Sequence, residues 1–116
     1  MKYLCLVYGE EKKLQAMSSA ESAALTKTSI EYDRQLQARG RLVVAEALAP
    51  TPLSRTVRVR DGKTVRLDGP FAETKEQLLG FILIDAADEQ DALDIAAGIP
   101  LAKLGTVEVR KIQSME

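Results

Sequence analysis

Ionisable side chains are concentrated around one aromatic residue in segment 68–76, which reads DGPFAETKE. Carboxylates and lysines act as general acids and bases when their pKa values are shifted, and lysine also binds anions or carbonyl groups. We therefore predict Asp68, Glu73 and Lys75 as candidate catalytic residues that line one pocket, with Phe71 as its wall. A structural interpretation stays open, in which Asp68 accepts N–H groups of its own turn and Phe71 plugs the end of the fold.

Tyr8 and Glu46 are further candidates for binding a ligand. Tyr8 ends an apolar run and combines an apolar ring with a polar hydroxyl, so it suits either the core or a cavity wall. Glu46 is a lone carboxylate in an apolar row, and such a charge is either paired or functional. Glu108 and Arg110 are two residues apart on one strand face, so we interpret them as a structural pair.

The chain contains no histidine and a single cysteine, Cys5. Zinc and copper are bound mainly by these two residue types, so we predict no metal and no tightly bound cofactor. Histidine is also the usual general base near neutral pH, so any proton transfer falls to Asp, Glu, Lys or Tyr. The sequence has no glycine-rich phosphate loop and no serine nucleophile motif, which argues against nucleotide and hydrolase chemistry.

A turn and two very apolar strands position the ionisable segment. Gly69 suits a positive φ angle and Pro70 fixes its own φ, so Asp68 is held at the end of a strand. Residues 2–8 and 78–84 are apolar on both alternating faces, which is typical of strands covered on both sides. The segment therefore leads into a central strand of the fold.

Capping and turn signals define the remaining elements. Ser18 with Glu21 forms a capping box that begins a helix near 19–39, and Gly40 ends it. Asp61-Gly62 is typical of a two-residue hairpin turn. The other predicted elements are a strand over 41–49, hairpin strands over 55–60 and 63–68, a helix from Asp88 to Pro100, and a strand over 106–112.

This order of elements predicts an α+β, ferredoxin-like βαββαβ fold with an inserted β-hairpin. We expect both helices on one face of the antiparallel sheet, which leaves the other face apolar along Tyr3, Cys5 and Val7 or along their alternates. Such an apolar area is too large to stay in water, and a symmetric second copy covers it most simply. We therefore predict a homodimer in which two open sheets close into a dimeric α/β barrel.

Several strings in the sequence resemble the DGPF branch of the YCII-related protein family. They begin with segment 68–76 and continue through Leu79-Gly80-Phe81, Ile99-Pro100 and residues 104–110, so the resemblance covers almost the whole chain. It implies a ferredoxin-like unit that pairs into a dimeric α/β barrel. A His-Asp pair proposed as catalytic in the wider family has no counterpart here, because the histidine is missing.

Length and composition predict a single domain over residues 1–116. The formal net charge of −1 provides no basic field, so we expect neither nucleic acid nor a membrane as a partner. Cys5 cannot form an internal disulfide, and no apolar stretch suits a signal peptide or a membrane span. These features predict a cytoplasmic location.

Two functional interpretations remain. The first is a protein that binds or transforms a small molecule in a barrel-end pocket near residues 68–76, by analogy with similar folds. The second is a non-catalytic regulatory or protein-interaction module. For this module the resemblance implies a link to sigma-factor-type transcription control, because DGPF-type genes often lie beside genes for such factors. The module would place its partner surface on the hairpin, at Arg55, Arg58, Arg60 and Arg66. We favour the pocket, because a structural role alone needs fewer ionisable groups in one loop.

Overall fold

The computed structural model describes residues 1–115, which form a four-stranded sheet with three α-helices and a separate two-stranded hairpin. In chain order the elements are β1 (Lys2–Gly9), α1 (Glu11–Gln15), α2 (Ser19–Ala38), β2 (Leu42–Ala47), a 3-10 turn (Thr51–Leu53), β3 (Arg55–Arg60), β4 (Lys63–Asp68), β5 (Gln77–Asp85), α3 (Glu89–Gly98), a second 3-10 turn (Pro100–Lys103) and β6 (Thr106–Lys111). The predicted ferredoxin-like α+β class is confirmed.

Strands β1 and β5 form the centre of a four-stranded antiparallel sheet with the order β2-β5-β1-β6. Their apolar residues on both faces explain the central position, as the sequence predicted. In register, Cys5 of β1 lies between Ile82 of β5 and Val109 of β6. At Gly80 of β5, a Cβ atom would lie 2.6 Å from the carbonyl oxygen of Glu46, so β2 approaches this closely only because the residue is glycine.

The two faces of the sheet differ in what covers them. Tyr3, Cys5 and Val7 are buried and belong to the same core cluster as residues of α2 and α3. Their alternates Leu4 and Leu6 lie opposite Leu83 and Phe81 on the other face, where they are only half-buried. The uncovered face therefore runs along the alternates, one of the two possibilities left open by the sequence.

Helix α2 packs against the core of the sheet and contacts α3. It begins with the predicted capping box, in which Glu21 N donates to Ser18 Oγ at 3.1 Å and Ser18 N donates to Glu21 Oε1 at 3.0 Å. Leu36 is fully buried in the core, and the Tyr32 hydroxyl donates to the Ile95 carbonyl oxygen of α3 at 2.6 Å. Leu36 and the partly buried Tyr32 thus form the buried stripe of this helix.

The short helix α1 is an element that the sequence analysis did not predict. It has five residues, none of them buried, and no side chain caps its start. Helices of this length have no stability of their own in water, so tertiary contacts must hold it. Its Glu11 carboxylate accepts hydrogen bonds from the N–H and the hydroxyl of Thr51, 40 residues further along the chain. No local pattern signals such a contact.

Strands β3 and β4 pair only with each other, and we call them the hairpin arm (residues 55–68). At their turn Asp61 and Gly62 have φ angles of 51° and 73°, as the predicted two-residue turn requires. Every residue of the arm except Thr56 is exposed. The arm therefore contributes nothing to the core of the chain.

The molecule is flat, with dimensions of 47 × 46 × 18 Å. Its radius of gyration is 16.1 Å, whereas a compact chain of this length has about 13 Å. The short dimension holds one sheet and one layer of helices. The flat shape follows from the uncovered sheet face and the extended arm.

Candidate functional site

A cavity of about 660 Å³ lies between the base of the hairpin arm and one end of the sheet. Tyr8 of β1 with Gln77 and Leu78 of β5 forms its sheet side, and parts of segments 48–56 and 70–76 form the remainder. Most of its wall is apolar, with side chains of Leu48, Ala49, Leu53, Pro70, Phe71, Ala72 and Leu78. The ionisable segment recognised in the sequence thus supplies one wall of this cavity.

Hydrogen bonds at the turn before Phe71 hold this wall in place. Gly69 has a φ of +90°, which confirms the conformation expected at this glycine. Its N–H donates to the Ser54 carbonyl oxygen at 2.8 Å, and its carbonyl oxygen accepts from Thr56 Oγ1 at 2.8 Å. The N–H and the carbonyl group of Gly69 therefore both attach this turn to the start of β3, at Ser54 and Thr56.

Several polar side chains in the cavity wall already form hydrogen bonds with backbone groups of the chain. Ser54 Oγ donates to the Thr51 carbonyl oxygen at 2.6 Å. Gln77 Nε2 donates to the carbonyl oxygens of Ala72 and Thr74 at 3.2 and 3.0 Å. These groups shape the loop and have little capacity left for a ligand.

Two polar groups of the wall remain available. Within residues 1–115, the Tyr8 hydroxyl and the Glu76 carboxylate have neither a hydrogen bond nor an ion pair. Arg55 is partly used, because its Nη1 donates to the Ser54 carbonyl oxygen at 3.2 Å and its Nε lies 3.3 Å from Asp68 Oδ1. The cavity therefore offers an apolar surface with one phenol and one carboxylate to orient a bound molecule.

A cleft beside the cavity contains the ion pair of Glu10 and Lys75. Lys75 Nζ lies 3.2 Å from one carboxylate oxygen of Glu10, and Lys13 Nζ lies 3.4 Å from the other. Desolvation of the carboxyl raises its pKa, but the hydrogen bonds and charges of Lys75 and Lys13 outweigh that effect. The pKa of Glu10 is therefore lowered from its usual value.

Glu10 and the adjacent Glu11 hold both ends of the segment that carries the arm. Glu11 binds Thr51 before the arm, and Glu10 binds Lys75 after it. We call these two glutamates the acidic clasp. The clasp was not predicted because its contacts reach across 40 residues or more. Its one local signal is a pair of acids directly after a central strand.

The structure does not bring Asp68, Glu73 and Lys75 together. Asp68 ends β4 with its side chain 89% exposed, where it pairs with Arg55 across the hairpin, and Glu73 is exposed to solvent. Lys75 faces Glu10 in the neighbouring cleft, and none of the three lines the 660 Å³ cavity. Their catalytic roles stay predictions.

The three candidate ligand-binding residues occupy two different places. Phe71 and Tyr8 line the 660 Å³ cavity. Phe71 is 79% exposed, so it forms an outer wall in place of the plug considered in the structural interpretation. Glu46 lies instead beside a second cavity of about 150 Å³, between α2 and the sheet.

This second cavity contains a carboxyl that the sequence analysis did not single out. Asp33 of α2 lines it together with Ser29 and Pro100, and burial raises the pKa of Asp33 above its usual value. The carboxyl has no hydrogen bond or ion pair within residues 1–115. Its position next to Tyr32 on the buried stripe of the helix was the available sequence signal.

The described part of the chain contains no cluster of three or more His, Cys, Asp or Glu residues suited to hold a metal ion. Burial raises the pKa of the Cys5 thiol to about 11, so it is protonated and unreactive at neutral pH. No helix among residues 1–115 has both the length and the apolar character needed to cross a membrane.

Comparison with known proteins identifies one family and one curated relative. The sequence model of the YCII-related domain matches residues 1–116. An uncharacterised protein of Rhizobium meliloti (strain 1021) is 40% identical over 114 residues, which cover 97% of this chain and 92% of the relative. The similarity therefore extends over the sheet, the arm and the cavity.

Proposed function

Because the chain belongs to the YCII-related domain family and its curated relative is itself uncharacterised, we propose a function from the site alone: the 660 Å³ cavity binds a small, mainly apolar molecule. The observation that carries this proposal is an apolar cavity whose wall includes two unpaired polar groups, Tyr8 and Glu76. Ligand sites in proteins commonly have this size and this combination of surfaces.

The wall chemistry defines the class of ligand. A flat apolar body packs against the exposed ring of Phe71, which otherwise faces water. An N–H or O–H group on the ligand donates to the Glu76 carboxylate or to the Tyr8 hydroxyl oxygen. Within the DGPF string at residues 68–71, the glycine forms the turn and the phenylalanine lines the wall, which supports this arrangement. The same string is our reason for assigning the chain to the DGPF branch of the family.

The proposed function is binding alone, and it requires no chemical reaction of the bound molecule. Glu76 is the carboxylate best placed for such a step, since it lines the cavity without a partner among the described residues. Asp68, Glu73 and Lys75 remain candidates for catalysis only if ligand binding moves the loop. A protonated, buried Cys5 is compatible with the cytoplasmic location that we propose.

A homodimer is the second part of the proposal. The uncovered sheet face carries Leu4, Leu6, Phe81 and Leu83, all half-buried in the single chain. Stable interfaces bury about 800 Å² on each subunit, and a four-stranded face supplies an area of that order. A second copy placed face to face would also close the two sheets into the dimeric α/β barrel.

The interaction-module alternative draws support from a different observation, which is the exposed hairpin arm with its arginines. A link to sigma-factor-type transcription control has its basis in the family resemblance alone. The two candidates are separable, because a binding protein needs the cavity and an interaction module needs only the arm.

A fluorescence titration with N-phenyl-1-naphthylamine tests the proposed binding. This neutral probe has an apolar aromatic body and one N–H donor, and it fluoresces strongly in apolar surroundings. We expect saturable binding of one probe per chain. Phe71→Ala should weaken it about tenfold, because the ring supplies a large part of the apolar contact.

Leu93→Ala on α3 is the matched control, since Leu93 is an exposed apolar residue away from the cavity. It should leave the affinity unchanged within about twofold. Binding that does not saturate, or that falls equally in both variants, would remove the cavity from the function and favour the interaction module.

A further inference from the structure

The hairpin arm exposes apolar residues on both of its faces. Val57 and Val59 on one face are each 59% exposed, and Val65 and Leu67 on the other are 43% and 52% exposed. A two-stranded hairpin that packs on nothing is at best marginally stable in water. This arm therefore needs a surface that the single chain does not provide.

The base of the arm is firmly attached, which gives the arm a defined direction. The Gly69 backbone is hydrogen-bonded to Ser54 and Thr56, and the acidic clasp binds Thr51 before the arm and Lys75 after it. Beyond this base the strands pair only with each other. The arm is thus anchored at one end and free along its length.

Charge favours a second copy of this chain as the surface. The arm contains five basic and two acidic residues, for a net charge of +3, and this leaves −4 for the rest of the chain. Such a division of charge is self-complementary, because each arm meets an acidic body when two copies pair.

Dimensions also suit a contact between copies. A six-residue strand is about 20 Å long, whereas two sheets packed face to face lie about 10 Å apart. The arm is therefore long enough to span the distance between two sheets packed face to face.

The cavity presents a surface for this contact. Leu53 and Phe71 belong to its wall, yet they are 68% and 79% exposed. Both residues flank the arm base, one on each side along the chain. The cavity of a single chain is thus incomplete on its outer side.

We propose that each hairpin arm crosses to the second copy of a homodimer, where it covers the outer cavity wall formed by Leu53 and Phe71. This inference depends on the homodimer of the proposed function, and it adds that each binding site is completed by the other chain. One apolar face of the arm packs on the second copy, and its basic residues meet carboxylates there.

Zero-length cross-linking of isotope-mixed protein tests this contact. Equal amounts of ¹⁴N and ¹⁵N protein are mixed, allowed to exchange subunits and treated with a carbodiimide, which joins lysine amines to neighbouring carboxylates. We expect Lys63 in the arm to form cross-links of which about half join a light to a heavy peptide, as random pairing of two chains requires. Lys63→Arg keeps the charge and should abolish these cross-links.

Sedimentation of the same samples separates the two possible failures. A dimer whose Lys63 forms only links within one chain, or none, overturns the crossing arm and leaves the dimer intact. A monomer overturns both. A second readout compares Val57→Thr/Val59→Thr with Val65→Thr/Leu67→Thr. Each double variant replaces the apolar residues of one arm face by threonine, a residue that favours strands.

At least one of these two double variants should raise the dimer dissociation constant about tenfold or more. It should also weaken probe binding in the dimer, because the same arm covers the cavity. An unchanged dissociation constant in both variants would contradict a packed arm on either face.

Discussion

The carboxylate of Glu10 lies 3.2 Å from the ammonium group of Lys75, although 65 positions separate them in the chain. This ion pair joins the end of the first strand to the loop that follows the hairpin arm. With the neighbouring contact of Glu11 to Thr51, it fixes the segment that supplies most of the cavity wall. The acidic clasp thus connects the rigid sheet to the proposed binding site.

Breaking the ion pair should affect ligand binding more than folding. Lys75 is 84% exposed, so the pair adds little to global stability. We expect Lys75→Ala and Glu10→Gln each to weaken probe binding about threefold. The double variant should bind no more weakly than Glu10→Gln alone, because both single changes remove the Glu10–Lys75 pair and Glu10→Gln already removes the pair with Lys13 as well. Titrations of the three variants measure this. Lys12→Ala, at an adjacent exposed lysine, should have no effect, and additive losses in the double variant would contradict a shared role.

The same pair predicts a dependence on pH. The folded state lowers the pKa of Glu10 from its usual value of 4.5, so the stabilisation is complete above that pH and is lost as the pH falls through the folded value. The difference in probe affinity between the wild type and Lys75→Ala should therefore persist at pH 5 and vanish in more acidic solution. A difference that disappears near neutral pH would assign the effect to another group.

Ionisation of Asp33 should have the opposite effect on stability to that of Glu10. Burial raises its pKa in the folded protein, so its ionised form opposes folding at every pH above its usual pKa of 3.8. Asp33→Asn should raise the melting temperature at pH 7, and the gain should disappear below about pH 3.5, where the carboxyl is protonated in both states. Thermal unfolding followed by circular dichroism measures this, with Asp94→Asn on the exposed surface of α3 as control. A lower melting temperature for Asp33→Asn at pH 7 would show that its charge has a favourable partner.

The capping box of α2 gives a direct stability prediction. Ser18→Ala removes the acceptor for the Glu21 backbone N–H and should cost about 1 kcal/mol of unfolding free energy. Ser19→Ala changes the next residue, which caps nothing, and should be nearly neutral. Urea denaturation of the two variants measures both values. Equal losses would mean that general helix preference, and not the cap, explains the effect.

The uncovered sheet face predicts the assembly state. Phe81→Glu places a charge between Leu6 of β1 and Glu46 of β2 on that face, so it should convert the proposed homodimer to a monomer. Leu93→Glu adds the same charge on the outside of α3 and should leave the dimer intact. Sedimentation velocity distinguishes the two. A Phe81→Glu variant that remains dimeric would place the interface elsewhere.

Local signals were sufficient to predict most of the fold. Apolar residues on both faces marked the two central strands, Asp61-Gly62 marked the arm, and Ser18 with Glu21 marked the start of the long helix. Each of these signals lies within a few residues of the feature that it specifies. Helix α1 was not predicted because it is stabilised by the contact of Glu11 with Thr51, which no local pattern indicates.

The site was only partly predictable for the same reason. Segment 68–76 identified the wall that contains Phe71, and Tyr8 was recognised at its strand end. The charged residues of the segment were predicted to converge, but Asp68 pairs with Arg55 across the hairpin and Lys75 pairs with Glu10. Partner choice among charges depends on the approach of distant segments, which spacing along the chain does not reveal.

The most direct test of the central claim is a crystal structure of the protein with bound N-phenyl-1-naphthylamine. We predict electron density for the probe in the 660 Å³ cavity, with its rings against Phe71 and its N–H group directed at Glu76 or Tyr8. Density for the probe on the uncovered sheet face or in the Asp33 cavity, with the 660 Å³ cavity empty, would contradict the account.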